Sequence, residues 1–320
     1  MMDEQTMPTL QDVLAARPNV YRYLQPTPLH HYPTLSQLVG AEVWIKHENH
    51  QPVGAFKVRG GLNYAAHLSA AEREGGLFTA STGNHGQSIA YAARAHGIQA
   101  TIALPEGANP GKVAAMRSLG AEVVYHGADF DTAREWMMGV AAERNGRFVG
   151  PTENLLIAGV GTYALEIMEA LPDVDAIIVP VGAGSGVCGT SIVAKTVNPR
   201  VAVIGVQSAQ APAMQRSWAA GELLTAEMNT FAEGVATRVP FANTQAIMRR
   251  YLDDFLLVDD ADIKRAIVTL LEHSHNLAEG AGAIPLAAAL QYGARFAGKK
   301  IVLVLSGGNL ALEHLRAILA

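Results

Sequence analysis

Residues 176–181 form an unbroken apolar run that leads directly into residues 182–189, where four of the eight residues are glycine. An apolar run of this length predicts a strand buried on both faces, which is typical of a parallel sheet. A glycine-rich turn between a strand and a helix exposes backbone N–H groups to a phosphate, because glycine permits close approach. The spacing matches neither a P-loop nor a clean dinucleotide fingerprint, so it predicts a phosphate site of unspecified type. An ordinary tight turn is the alternative.

Strand and helix patterns alternate along most of the chain. This rhythm predicts an α/β fold with two parallel or mostly parallel twisted sheets flanked by helices. The predicted strands lie at residues 41–46, 77–80, 100–105, 122–125, 148–149, 176–181, 201–206 and 300–305.

We expect two domains. Residues 73–153 are predicted to form a smaller domain, inserted into a larger one built from residues 1–72 and 154–320. A ligand is expected in the cleft between them. The turns that begin at Ser81 and Ser306 follow predicted strands, and the carboxyl ends of parallel strands are where ligands bind in open α/β sheets.

A second candidate ligand loop spans residues 81–87, between a short apolar strand and an alanine-rich helix predicted for residues 88–96. Five polar side chains and two glycines occupy these seven positions. A turn of this kind exposes N–H groups at a helix N-terminus and favours an anion. An ordinary capped turn is the alternative.

Lys57 follows a Pro-Val-Gly turn and opens a predicted helix. The neighbouring apolar residues Ala55, Phe56 and Val58 predict partial burial, which lowers a lysine pKa because the charged form loses hydration. A neutral amine attacks aldehydes, so the position suits Schiff-base chemistry. A solvated lysine at a helix start is the alternative.

Composition excludes several classes of protein. The 320 residues carry a net charge of −5 with 49% apolar content, which fits a globular enzyme and predicts no nucleic-acid partner. Cys188 is the only cysteine, so an intrachain disulfide is excluded. No apolar run is long enough for a membrane span, and residues 1–4 lack the order of a signal peptide. We therefore expect a cytoplasmic protein that does not bind membranes.

Four segments, residues 54–57, 81–86, 182–186 and 306–309, together resemble the fold-type II pyridoxal-phosphate enzymes, whose fold is that of the tryptophan synthase β subunit. They look most like the serine/threonine dehydratases and serine racemase. The segments occur in the family's order, and the resemblance extends from Pro28 to Asn309.

The resemblance implies pyridoxal 5′-phosphate as cofactor and specific residues around it. Lys57 would bind the cofactor covalently, Asn84 would hydrogen-bond its 3′-oxygen, and Ser306 would hydrogen-bond its ring nitrogen. The remaining cofactor contacts would be Phe56, Gly182, Ala183, Gly184, Ser185, Gly186 and Glu279. The substrate carboxylate would be held by Ser81, Thr82, Gly83 and His85.

The sequence departs from the family pattern at several positions. Ala55 replaces the usual serine before Phe-Lys, and Thr82 stands where racemases carry a serine. A divalent-cation site of some members would fall on Gln207, Ala211 and Ala213, which supply no carboxylate, so no metal is expected. The resemblance also implies a homodimer.

The implied reaction is β-elimination from a β-hydroxy amino acid, L-threonine or L-serine, to a 2-oxo acid and ammonia. A racemase, or a dehydratase of a bulkier substrate such as a hydroxyectoine-derived or phenylserine-type amino acid, is the alternative. A catalytically silent binding protein on the same fold is the third hypothesis, and an intact Lys57, Asn84 and Ser306 argue against it.

Overall fold

The computed structural model of the protein describes residues 7–106, 108 and 110–320. The first six residues of the predicted larger domain therefore lie outside the described residues. The strands are β1 Leu29–His31, β2 Glu42–His47, β3 Leu77–Ala80, β4 Ala100–Leu104, β5 Glu122–Tyr125, β6 Arg147–Phe148, β7 Ala176–Pro180, β8 Ala202–Ser208, β9 Asp254–Val258 and β10 Lys300–Leu305. The helices are α1 Leu10–Tyr21, α2 Pro33–Val39, α3 Lys57–Ala66, α4 Ala70–Gly75, α5 Asn84–His96, α6 Pro110–Ser118, α7 Phe130–Glu143, α8 Asn154–Ala170, α9 Ser185–Val197, α10 Ala213–Ala220, α11 Ala242–Tyr251, α12 Asp260–Ser274, α13 Gly280–Gln291 and α14 Leu312–Leu319.

Within the described residues, six strands form one sheet in the order β1-β2-β10-β7-β8-β9. Only the short edge strand β1 is antiparallel to its neighbour, and the other pairings are parallel. The central strands β7 and β10 are almost wholly buried, as continuous apolar runs require in a sheet covered on both faces. The predicted α/β class with mostly parallel sheets is confirmed.

A second sheet, of four parallel strands in the order β5-β4-β3-β6, uses only residues between 77 and 148. Strands of the six-stranded sheet precede and follow this segment in the chain. The division into an inserted domain of residues 73–153 and a larger domain stays a prediction. Among the described residues, every helix is too short or too polar to pass through a bilayer.

Helices α3 and α8 approach each other closely, and small residues make this contact possible. A Cβ on Gly159 would lie 2.5 Å from the carbonyl oxygen of Arg59, and one on Gly60 would lie 2.8 Å from that of Leu156. Because a real Cβ cannot come so near, glycine is required at both crossings. The contact fixes α3, which begins with Lys57, against the buried helix α8.

Candidate active site

Lys57 begins α3 and lies at the carboxyl edge of the six-stranded sheet. The preceding residue is anchored there, because the Phe56 N–H donates to the carbonyl oxygen of Ser306 at 3.0 Å. The Lys57 Nζ donates to Ser185 Oγ at 2.7 Å. Its residue is partly exposed, yet the surrounding protein desolvates the amine and lowers its pKa to about 8. The neutral fraction of this amine at neutral pH is therefore larger than that of an ordinary lysine.

The glycine-rich turn ends in helix α9, whose N-terminus has no side-chain cap. Gly184 adopts a left-handed conformation with φ 101°, and an added Cβ would lie 2.8 Å from Thr244 Cβ. Glycine is thus required by the backbone and by packing. The Tyr163 hydroxyl donates to the carbonyl oxygen of Gly186 at 3.0 Å, which holds the first turn of the helix in place. The N–H groups of this turn remain available to an anion.

The loop of residues 81–83 leads into α5, which begins at Asn84 and also lacks a side-chain cap. The Gly83 N–H donates to Ser81 Oγ at 3.3 Å, and a Cβ on Gly83 would meet nothing within 4 Å. Thr82 lies between them and is partly exposed. A second helix N-terminus thus opens onto free space, as an anion-binding loop requires.

His85 is buried directly after this loop. Its Nε2 lies 3.1 Å from the carbonyl oxygen of Val149, which can only accept, so Nε2 carries the hydrogen. Burial, reinforced by the charge of Lys57, lowers the His85 pKa to about 4. The ring is therefore neutral at neutral pH with an accepting Nδ1, and it brings no positive charge to the loop of residues 81–83.

Asn84, Glu279 and Asn309 form one hydrogen-bonded group. Asn84 Nδ2 donates to Glu279 Oε1 at 2.7 Å, and Asn309 Nδ2 donates to Asn84 Oδ1 at 2.8 Å. The Glu279 N–H donates to the carbonyl oxygen of Gly307 at 3.1 Å. The structure thus brings the start of α5 and the start of α13 to the turn after β10.

The pKa of Glu279 is raised, chiefly because burial desolvates its carboxylate. Asn84, the charge of Lys112 and the backbone N–H of Asn309 oppose this effect. Lys112 also forms an ion pair with Glu233, which joins α6 to the segment of residues 233–237. A second ion pair joins Asp131 to Arg238 on the same side.

A group of buried charges lies behind Lys57, on the opposite side of α3. Arg59 is fully buried and donates to Glu48 at 2.7 and 2.8 Å and to Glu166 at 2.6 and 3.1 Å. Lys46, also buried, pairs with Glu166. Thr27 donates its hydroxyl to Glu48, which ties the connector before β1 to the same group.

Gln207 stands where some family members bind a cation. Its side chain is buried, with Nε2 donating to Thr237 Oγ1 at 2.9 Å and Oε1 accepting from the Gln215 N–H at 3.2 Å. The amide therefore links β8 to α10 and to the segment before α11. The expected lack of a metal at this position stays a prediction.

The residues present fit pyridoxal phosphate. Ser306 is 3% exposed, and its hydroxyl has no hydrogen-bond partner among the described residues. This hydroxyl can therefore donate to or accept from a ligand atom. Two uncapped helix N-termini can take phosphate and carboxylate groups, and the amine of Lys57 has a lowered pKa suited to a carbonyl group.

Sequence reasoning missed several residues of this region. Asn309 was part of a motif but had no assigned role, and its contact with Asn84 spans 225 positions of sequence. The burial of Arg59, Glu48 and Lys46 also went unpredicted, because charged residues on a strand and at a helix start usually face solvent. The sequence offers one signal for these residues. Lys46, Glu48 and Arg59 lie near the Phe-Lys motif, and Asn309 belongs to the Ser-Gly-Gly-Asn motif.

Comparison with known proteins places the chain in a family. A family described as pyridoxal-phosphate dependent enzyme matches residues 20–307. An L-threonine ammonia-lyase of Thermotoga maritima is 40% identical over 315 residues, which cover 98% of this chain and 78% of that protein. Two solved structures also share the fold. They are a processed threonine deaminase isoform 2 of Solanum lycopersicum (TM-score 0.92, 32% identity, 97% of this chain and 91% of that chain) and maize serine racemase (0.93, 30%, 98% and 97%). The chain therefore belongs to the pyridoxal-phosphate-dependent enzymes, within the fold-type II group of serine and threonine dehydratases.

Proposed function

We propose that the protein is an ammonia-lyase that eliminates the β-hydroxyl of L-threonine or L-serine and releases a 2-oxo acid and ammonia. One observation carries the proposal. The Lys57 amine has a pKa lowered to about 8 and lies 2.7 Å from Ser185 in the glycine-rich turn. A reactive amine next to a phosphate-binding turn is the arrangement that pyridoxal phosphate chemistry requires. The similarity to an L-threonine ammonia-lyase supports threonine as substrate.

The bound cofactor would supply the electron sink for loss of the substrate Cα proton. Lys57 would hold the cofactor, with Phe56 against the ring and Asn84, Glu279 and Ser306 around its edge. The phosphate would be held by the N–H groups and hydroxyl of the turn formed by Gly182, Ala183, Gly184, Ser185 and Gly186. The substrate carboxylate would be held by Ser81, Thr82, Gly83 and the N-terminus of the helix that continues through His85.

Lys57 would act as general base, because its Nζ in the neutral form can accept the Cα proton. A lowered pKa increases the neutral fraction at neutral pH, which favours this role. Ser306 would donate a hydrogen bond to the ring nitrogen. A carboxylate would keep that nitrogen protonated, whereas a hydroxyl does not, so the ring is a weaker electron sink. Negative charge on Cα is then disfavoured unless the β-hydroxyl leaves.

A racemase is the second candidate, favoured by the similarity to maize serine racemase. Racemisation needs a proton donor on the face of Cα opposite Lys57, within hydrogen-bond reach. Thr82 is the candidate donor, but its γ-methyl group restricts the rotamers of its hydroxyl. We therefore expect elimination to exceed racemisation.

The experiment follows 2-oxo acid release from L-threonine, L-serine and a phenylserine, and it measures D-serine together with pyruvate when L-serine is supplied. We expect rapid 2-oxo acid release from threonine or serine and little D-serine. D-serine formed as fast as pyruvate would replace the proposal with the racemase, and a strong preference for phenylserine would point to the bulkier substrate class.

Two controls separate an enzyme from a binding protein. Lys57→Ala should abolish turnover and the visible absorption band that borohydride bleaches in the wild type. Lys195→Ala should retain both turnover and the band. It removes a lysine of α9 whose Nζ donates to Asp253 Oδ1 at 2.7 Å. Turnover by Lys57→Ala at a near-normal rate would exclude Lys57 as the base.

We also propose that the enzyme is a cytoplasmic homodimer with its cofactor between the two predicted domains. The chain has a single cysteine and so no intrachain disulfide, as is typical of proteins in reducing compartments. Light scattering after size-exclusion chromatography would test the dimer, and cell fractionation would test the location.

A further inference from the structure

The side chain of Asn309 connects the turn before Lys57 to the start of α5. Its Nδ2 donates to the carbonyl oxygen of Val53 and to Oδ1 of Asn84, both at 2.8 Å. A carbonyl oxygen can only accept, so the contact with Val53 fixes which end of the Asn309 amide is the nitrogen. Both of its hydrogens are then used, one on Val53 and one on Asn84.

The orientation of Asn309 determines the orientation of Asn84. Because Asn309 presents a donor, Asn84 must present its oxygen on that side, and its nitrogen must then face Glu279 Oε1 at 2.7 Å. Turning the Asn84 amide over would oppose two nitrogens on one side and two oxygens on the other. One N–H of Asn84 is bound to Glu279, and the other has no partner among the described residues. Asn84 is partly exposed, so this N–H can reach a ligand.

Packing keeps Asn309 in this position. Gly54 has a left-handed conformation with φ 68°, and a Cβ there would lie 2.5 Å from Asn309 Oδ1. The Gly308 N–H donates to the carbonyl oxygen of Gly54 at 2.9 Å, and Ala55 pairs with Gly307. The amide of Asn309 therefore lies directly over the glycine of the Pro-Val-Gly turn and has little freedom to rotate.

We propose that Asn309 is a positioning residue, which makes Asn84 offer a hydrogen-bond donor, and not an acceptor, to the ring oxygen of the bound cofactor. This inference rests on the proposed cofactor contact of Asn84. A donor stabilises the deprotonated form of that oxygen and lowers the pH at which the bound cofactor titrates. Asn309 acts without touching the cofactor.

The test is a pH titration of the visible absorbance of cofactor-loaded protein, which requires no turnover. Asn309→Ala frees the Asn84 amide, and Asn309→Asp presents an acceptor to Asn84, which favours the reversed orientation of that amide. We expect the absorbance pKa to rise in both variants, and by about 1–2 units in Asn309→Asp, since a hydrogen bond to a charged group is worth that much. An unchanged titration in both variants would overturn the proposal.

Asn276→Asp is the matched control. Asn276 lies on the same edge and bonds to His50 and Ser274, at 2.7 Å each, without contacting Asn84. Its titration should equal that of the wild type, and a shift as large as that of Asn309→Asp would overturn the proposal by showing that any charge on this edge suffices.

A mutant cycle separates positioning from a structural role. If Asn309 acts through Asn84, removing it from Asn84→Ala should cause no further shift of the absorbance pKa. Additive shifts would contradict the inference. Loss of cofactor in both Asn309 variants, with retention in Asn84→Ala, would also contradict it, because Asn309 would then support the fold and not the amide.

The outcome is independent of the proposed reaction. A wild-type protein that loads the cofactor but releases no 2-oxo acid would refute the ammonia-lyase, while the titration of the Asn309 variants would still decide the positioning role.

Discussion

Replacing Arg59 with methionine should destabilise the protein far more than the same replacement at an exposed ion pair. The guanidinium of Arg59 is fully buried and donates two hydrogen bonds to Glu48 and two to Glu166, besides longer ones to the hydroxyls of Thr162 and Thr27. Methionine has a comparable length but neither charge nor donors. After the replacement, Glu166 keeps Lys46, whereas Glu48 keeps the Thr27 hydroxyl.

The size of the effect follows from the burial of the partners. The Glu48 side chain is 0% exposed and that of Glu166 is 8% exposed, so water cannot replace the lost donors. Removing one partner of a buried ion pair costs about 3–5 kcal/mol, because an uncompensated charge remains. Since Glu48 loses its cationic partner, we expect the free energy of unfolding to fall by an amount in that range.

The control is Arg17→Met. It breaks the ion pair between Arg17 of α1 and Glu169, which lies on the same helix, α8, as Glu166. The two atoms are 2.7 Å apart, but the side chains are 40% and 54% exposed. Solvent screens such a pair, and its loss should cost less than about 1 kcal/mol. Urea unfolding of the cofactor-loaded proteins, followed by circular dichroism, measures the difference.

The pKa of Glu166 determines how the destabilisation by Arg59→Met depends on pH. Burial raises the pKa of Glu166, but Arg59 and Lys46 outweigh burial and hold this pKa below its ordinary value. The stability from this pairing is therefore present above the unfolded pKa of about 4.3 and is lost as the pH falls. The difference in unfolding free energy between wild type and Arg59→Met should be largest near pH 7 and should shrink only as the pH falls below about 4.

The double variant Arg59→Met, Glu48→Gln provides the decisive comparison. Neutralising Glu48 removes the stranded charge, so the double variant should lose less stability than the sum of the two single variants. Additive losses, or a cost for Arg59→Met no larger than for Arg17→Met, would refute the reasoning.

Four further outcomes are expected. Covalent loading of apo-protein with pyridoxal phosphate should accelerate between pH 7 and 9, because the Lys57 pKa is lowered to about 8; a rate that rises only above pH 10 would contradict this. Ser306→Asp should retain the cofactor but slow 2-oxo acid release, since a carboxylate favours a protonated ring nitrogen, and unchanged kinetics would assign that nitrogen another partner. Gly139→Ala, in the exposed middle of α7 where a Cβ meets nothing within 4 Å, should raise the free energy of unfolding by about 1 kcal/mol in urea titrations. Chelation with EDTA should leave turnover unchanged, and an activity restored only by added Mg²⁺ would place a cation near Gln207.

The regular parts of the fold could be predicted because apolar runs and helical periodicity are local signals. Strands β3 and β5 match the predicted ranges. β9 was missed, since its apolar run of four residues, 255–258, cannot be assigned by periodicity alone. The run of small residues also predicts a helix only from Ile284, whereas α13 begins at Gly280.

The difference at the start of α13 arises from a tertiary contact. A Cβ on Gly282 would lie 2.4 Å from the carbonyl oxygen of Gly307, so glycine is present for close packing against the turn after β10 and not to end a helix. Similarly, the candidate motifs could be recognised, but the orientation of Asn84 depends on Asn309 and Val53, which are distant in sequence. Such contacts leave no periodic signal.

Strand β10 has a consequence for synthesis of the chain. It follows the other nine described strands in sequence, yet it lies between β2 and β7 at the centre of the larger sheet. Until it emerges from the ribosome, β2 and β7 each present an unpaired edge, and such edges promote association between chains. The turn that follows β10 also brings Ser306 to Phe56 and Asn309 to Val53, in the segment that leads to Lys57. A nascent chain should therefore be unable to retain its cofactor until this strand is inserted, and a ribosome stalled before it should carry an aggregation-prone intermediate.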